Sequence, residues 1–167
     1  MNAPWAEFSI ATAVGRFIAR YSEQGLVSLD FPTSGTVPVR TTPGQVPNAI
    51  RRWHRLTEAA LNRVLAGREP GTLPPLDWTG KTEFQQAVWR AMMRIAPGET
   101  KSYGEIAKAI GKPKAVRAVG GACGANPIPV LVPCHRVLAA HRKIGGFSSG
   151  LHWKRQLLER EGVRIGE

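Results

Sequence analysis

The 167-residue chain is short of acid and almost without cysteine. Its 12 Asp and Glu stand against 23 Lys and Arg, a formal net charge of +11. Two cysteines, Cys123 and Cys134, are too few for a disulfide framework, and a reducing cytoplasm is the expected compartment. Apolar runs are short and cut by proline, so no segment is expected to span a bilayer. The opening MNAPWAEFSIATAVGRF lacks a basic start followed by an apolar core, which argues against a signal peptide. The 18 Gly and 13 Pro are scattered, which excludes collagen-like and low-complexity readings. The two cysteines and four histidines show no metal-ligand spacing, so neither a metal nor a cofactor is expected.

What is present is a globular composition, 43% hydrophobic and 21% charged, in a chain long enough to bury a core. The charge is uneven. Residues 1–80 carry 8 basic and 6 acidic side chains, whereas residues 81–167 carry 15 and 6. The second half therefore dominates the field, and a polyanion, nucleic acid first, is one reading. A well-solvated basic surface is the other.

Residues 7–31 read as strands. Phe8, Ile10, Phe17, Ile18, Leu26, Val27 and Leu29 recur in short runs, with Gly15 and Gly25 at turn positions. Residues 32–48, rich in Pro, Thr and Gly, read as a loop. A helix follows, with Ile50, Trp53, Thr57, Ala60, Leu61, Val64 and Leu65 on one face. The proline-rich stretch 67–80 then reads as a linker and domain boundary. Beyond it, Thr82 and Gln85 have capping-box spacing and open a helix with an apolar stripe of Phe84, Ala87, Val88, Ala91, Met92 and Ile95. Ser102 and Glu105 repeat the device and open a short helix ending at Gly111. Pro113 suits the first turn of a third helix, running to Gly124, and the pair has helix-turn-helix proportions. The second of these helices, KAVRAVGGACGA, has small side chains and one long base, Arg117. It cannot project several polar groups at base edges, but its backbone could press close to a narrow groove. Tight burial against neighbours would also suit small residues.

In NPIPVLVPCHRVL, residues 126–138, three prolines forbid a continuous helix, and Val130, Leu131 and Val132 read as a short buried extended piece. Cys134, His135 and Arg136 follow. A thiol beside an imidazole and a guanidinium suits an activated nucleophile, and an inert buried cysteine is the alternative. In the last helix, expected from Ser149 to Glu161, Glu161 shares the inward face of Leu157 and Leu158. It also sits at the helix C-terminus, where the dipole disfavours an anion. A carboxylate there needs a partner, and a histidine would complete a Cys134–His135–Glu161 relay. A solvated helix end is the competing reading.

These residues together resemble the O6-alkylguanine-DNA alkyltransferases, also called methylated-DNA–protein-cysteine methyltransferases. FQQAVWRAMMRIAPGET, SYGEIA, KAVRAVGGACGANPIPVLVPCHRV, GGFSSG and KRQLLEREG stand in the family's order across residues 78–163. The resemblance implies an α+β fold. A small N-terminal antiparallel sheet plus helix of ribonuclease-H-like shape, with its proline-rich linker, would occupy 1–77. A helix-turn-helix domain carrying the active site would occupy 78–167.

It also implies roles. Cys134 would accept the alkyl group, His135 would take its proton through a water, and Glu161 would orient His135. Asn126 would brace the turn that holds the cysteine, and Tyr103 would donate to the departing guanine. Arg117 would fill the gap left by a flipped nucleotide. Lys114, Ala118, Gly120, Gly121 and Ser102 would face DNA. Val137, Phe147, Ser148 and Ser149 would form the base pocket, with backbone carbonyls of Cys134 and Val137 reading the guanine amino group. The partner would be duplex DNA carrying O6-alkylguanine, with O4-alkylthymine left open, and the protein would act as a monomer, once per molecule. Phe147 replaces the tyrosine usual in the family, and Ser149 the usual glycine, which leads us to expect methyl adducts to react better than bulky ones. A damage-sensing DNA binder, a cysteine hydrolase and a transcription factor are the rival readings. Only the alkyltransferase would be alkylated stoichiometrically and irreversibly.

Overall fold

A computed structural model describes residues 6–35 and 45–166. Part of the expected loop, residues 36–44, lies outside the described residues.

Strands β1 (Ala6–Thr12), β2 (Gly15–Tyr21) and β3 (Leu26–Asp30) form an antiparallel sheet in that order. Alternation along β2 sends Phe17, Ala19 and Tyr21 into the core. Helix α1 (Asn48–Leu65) packs on β1 through the face that carries Ile50, Thr57, Ala60, Leu61, Val64 and Leu65. The stretch 67–80 is tied to the sheet. Leu26 donates its N–H to the Pro75 carbonyl (2.8 Å), and Asp77 donates to the Leu26 carbonyl (2.8 Å). Glycine is required at position 25, because a Cβ there would stand 2.4 Å from the Pro75 oxygen.

Helices α2 (Glu83–Met92) and α3 (Tyr103–Ala109) both begin with complete capping boxes. Helices α4 (Val116–Gly124) and α5 (Leu151–Arg160) follow, and β4 (Lys101–Ser102) pairs in parallel with β5 (Val137–Leu138). The architecture is the expected α+β one, and α3, its turn and α4 make the helix-turn-helix. A single cluster of buried side chains runs from Ala6 to Leu157, drawing on both halves. Two cross-links reinforce it: Leu29 N–H to the Pro127 carbonyl (2.9 Å) and the Arg160 guanidinium to the Leu65 carbonyl (3.0 Å).

Four local expectations are corrected. Helix α4 starts at Val116 rather than Pro113, because Ala115 donates back to the Lys112 carbonyl and closes a turn first. Residues 130–132 are buried but not extended. Leu131 bonds back to Pro129 and Val132 to Ile128, and Val130 takes a left-handed φ of 73°, which is rare for a β-branched residue. In α2 the inward stripe is rotated to include Trp89, which is fully buried and donates its indole N–H to the Ala122 carbonyl (2.8 Å), while Ile95 lies beyond the helix. Helix α5 starts two residues later than expected, at Leu151, after Gly150 at φ 110°.

Candidate active site

Cys134, His135 and Arg136 form one tight helical turn after Pro133, and all three are buried. The segment before them is held from within. The Asn126 amide donates to the Val132 carbonyl (2.8 Å), and its oxygen accepts the Ile128 N–H (3.0 Å). One side chain thus closes the loop that delivers the cysteine. Burial pushes the Cys134 thiol up; the Asn126 side chain, the Lys154 charge and the local backbone N–H groups oppose this but do not overcome it. The resting group is therefore a thiol, and a nucleophilic thiolate needs a base.

A candidate base is one residue away. Burial holds the His135 imidazole below its usual range, despite the Glu161 carboxylate beside it. A neutral ring that donates from Nε2 to Glu161 Oε1 (2.9 Å) keeps a lone pair on Nδ1. Nδ1 is buried and accepts from no protein group among the described residues. Glu161 caps the C-terminal end of α5 with its side chain fully buried. Burial alone would raise its carboxyl, but hydrogen bonds from His135 and Arg136 hold it down to about 2. Arg136 grips it from Nε (3.0 Å) and Nη2 (2.8 Å), while Nη1 donates to the Ile95 carbonyl (2.6 Å). The neutral imidazole N–H and the Arg136 guanidinium thus answer the helix dipole that opposes this carboxylate.

Above the thiol lies a cavity of about 320 Å³. Tyr103, Asn126, Cys134, Phe147, Ser148 and Ser149 line it, together with Gly120 of α4. The Ser148 hydroxyl donates to the Gly124 carbonyl (2.6 Å), which clips this loop to the end of α4. Burial raises the Tyr103 phenol, so it keeps its proton and stays a donor. Val137 lies beneath the cavity rather than on its lining; it is fully buried, and its carbonyl accepts from Lys154 Nζ (2.7 Å). On the outer surface Lys114, Arg117, Ala118 and Gly121 are exposed and Gly120 is half-buried. Ser102 is half-buried, its oxygen accepting the Glu105 N–H (3.0 Å) as a helix cap.

Sequence reading places Arg136 beside the thiol but not on Glu161, and it does not place Cys123 or Lys154 at the site. Arg136 is the second partner of Glu161. Cys123 lines the same cavity as Cys134, with burial raising its thiol to about 12. Lys154 is fully buried, bonding the Val137 carbonyl and the Gly146 carbonyl (3.1 Å), and burial lowers its ammonium to about 8. Its spacing to Leu157 and Leu158 carried the signal, since residues three and four apart share a helix face.

Similarity to known proteins agrees with this geometry. A family model described as 6-O-methylguanine DNA methyltransferase, DNA binding domain, matches residues 83–163. A methylated-DNA–protein-cysteine methyltransferase of Methanosarcina acetivorans is 58% identical over 149 residues, covering 89% of this chain and 93% of its own. The chain belongs to this family. The methyltransferase of Haemophilus influenzae is 54% identical, over 90% of this chain and 82% of the relative. The methyltransferase of Mycobacterium tuberculosis is 52% identical over 104 residues, so the match spans 62% of that relative's length. Among solved methyltransferases, M. tuberculosis OGT in complex with DNA superposes with a TM-score of 0.72 at 38% identity, covering 92% of this chain and 90% of that one.

Proposed function

We propose that this chain repairs duplex DNA by moving the alkyl group of O6-alkylguanine onto Cys134 Sγ. The observation that carries the reading is the buried Cys134–His135–Glu161 arrangement beneath the cavity, with the unpartnered His135 Nδ1 as its open end. The Cys134 proton passes through a water to His135 Nδ1, and Glu161 stabilises the imidazolium. Sγ attacks the alkyl carbon, the S–C bond forms and the C–O6 bond breaks. Guanine leaves with the electron pair and takes a proton from the Tyr103 phenol, so a neutral base departs. The thioether formed is stable and nothing in the step regenerates the thiol, so each molecule acts once.

The alkyl group is hidden in the base stack, so the nucleotide must turn out of the duplex. The exposed small-residue face of α4 lets the backbone approach the minor groove, and Arg117 fills the gap. Asn126 fixes the cysteine loop, Ser148 and Phe147 frame the base, and Ser149 narrows the far side. The backbone carbonyl of Cys134 reads the guanine amino group; that of Val137, buried off the cavity lining, is taken by Lys154. Lys114 and Ser102 add phosphate contacts. The protein works as a monomer in the reducing cytoplasm. No helix among the described residues is long and apolar enough to cross a membrane.

Intact mass after incubation with duplex DNA bearing one O6-methylguanine tests the reading, with Cys134→Ala alongside. One methyl per wild-type molecule and none on the variant is the expected result. Binding without a mass change would instead support a damage sensor. The same assay on O4-methylthymine decides whether that base is a substrate. In competition, the O6-methyl adduct is expected to outrun the O6-benzyl adduct, and equal rates would refute the narrowing assigned to Ser149.

A further inference from the structure

One strand end from the N-terminal half reaches two parts of the cavity lining. Leu29, in β3, donates its N–H to the carbonyl of Pro127, the neighbour of the lining residue Asn126. Two residues on, the nearly buried Phe31 meets Phe147, which also lines the cavity, with ring centroids 5.8 Å apart and planes at 78°. Behind this contact Phe31 rests on Trp153 of α5 at 4.9 Å and on Phe17 of β2 at 5.2 Å. Phe147 is half-buried between this aromatic stack and the cavity that it lines. Protein interiors are close-packed, so Phe147 cannot retreat from the cavity while Phe31 fills the space behind it.

We infer that Phe31 is a specificity-determining positioning residue. It sets how far Phe147 reaches into the cavity, and hence the size of alkyl group the cavity admits. The inference rests on the reading of this cavity as the alkylated-base site. A methyl group needs little room there. A benzyl group needs Phe147 to move back, and the space it would move into is occupied by Phe31. Shortening Phe31 frees that space and weakens its ring contacts with Phe147, Trp153 and Phe17. Phe17 offers a control. It is fully buried in the same stack and touches Phe31 and Trp153, but it makes no ring contact with Phe147.

The test is the ratio of single-turnover rates on O6-benzylguanine and O6-methylguanine in the same duplex, for wild type, Phe31→Leu, Phe31→Met and Phe17→Leu. Phe31→Leu is expected to raise the benzyl-to-methyl ratio about three- to tenfold, the scale of one aromatic contact. Phe17→Leu is expected to lower the melting temperature and leave the ratio unchanged. Phe31→Met, an unbranched side chain that adapts to an irregular gap, reads the same ratio if the leucine variant does not fold. Equal slowing of both adducts, or an unchanged ratio in both Phe31 variants, would overturn the inference. So would a ratio that rises as much in Phe17→Leu. Wild-type protein that accepts neither adduct would overturn the repair reading itself, and this inference with it.

Discussion

Glu161 concentrates the electrostatics of the site in one side chain. It is buried, it ends a helix whose dipole opposes it, and it is nevertheless held ionised by His135 and Arg136. Its folded value of about 2 lies below the ordinary 4.5, so the folded state gives up its proton more readily than the unfolded chain. The resulting stabilisation is complete above pH 4.5 and is lost as pH falls from there towards about 2. At 1.36 kcal/mol per pH unit it amounts to roughly 3 kcal/mol. Denaturant titrations across that range are expected to show this loss, and Glu161→Gln is expected to abolish most of it. The same variant leaves the Arg136 guanidinium buried without a carboxylate, which costs about 3 kcal/mol at neutral pH. It also weakens the base. Alkyl transfer is expected to slow by about 10²- to 10⁴-fold while the unmodified thiol remains intact, as single-turnover kinetics would report.

Helix α4 shows a conflict between propensity and use at the scale of an element. Gly120 and Gly121 stand in mid-helix, where glycine is a poor choice, and a Cβ at either position would meet nothing within 4 Å. Packing within the protein therefore does not demand them. Gly121→Ala is expected to stabilise the fold by about 0.5–1 kcal/mol, visible as a higher melting temperature. Gly121→Phe places a large ring on the exposed face and is expected to weaken binding to duplex DNA at least tenfold without a matching loss of stability; a fluorescence-anisotropy titration reads the affinity. The same logic separates α4 from α5. There the buried Lys154 donates to the Val137 and Gly146 carbonyls, so contacts within the protein account for its place in the helix.

At the scale of the whole molecule, the proline-rich stretch 67–80 divides the chemistry but not the core. The thiol, imidazole and carboxylate all come from the second half, yet the buried cluster is continuous from β1 to α5. The Leu29–Pro127 and Arg160–Leu65 bonds cross the division, and Gly67 lies so close to the Arg160 carbonyl that a Cβ would stand 2.3 Å away. Thermal unfolding of the intact chain is therefore expected to be a single transition, with calorimetric and van't Hoff enthalpies equal. Two resolved transitions would show that the halves fold independently.

Local signals were legible wherever one segment determines its own structure. The Thr82–Gln85 and Ser102–Glu105 boxes start helices where their spacing says they should, and the α1 face and the three strands follow hydrophobic period. The inward face of Glu161 and its need for a partner could be read from its position on α5, and the order of motifs pointed to the family. The remainder depends on contacts between segments far apart in sequence. Trp89 turns inward because Ala122 offers a carbonyl, and residues 130–132 curl because the Asn126 amide closes the loop around them. Arg136 reaches Glu161 across 25 positions, and Phe31 reaches Phe147 from the other half of the chain. The sequence by itself determined the residue types, the helix starts and the chemistry that a thiol, an imidazole and a carboxylate can perform. Only the tertiary structure decided which of them meet, because burial and hydrogen bonding depend on neighbours that no local pattern encodes.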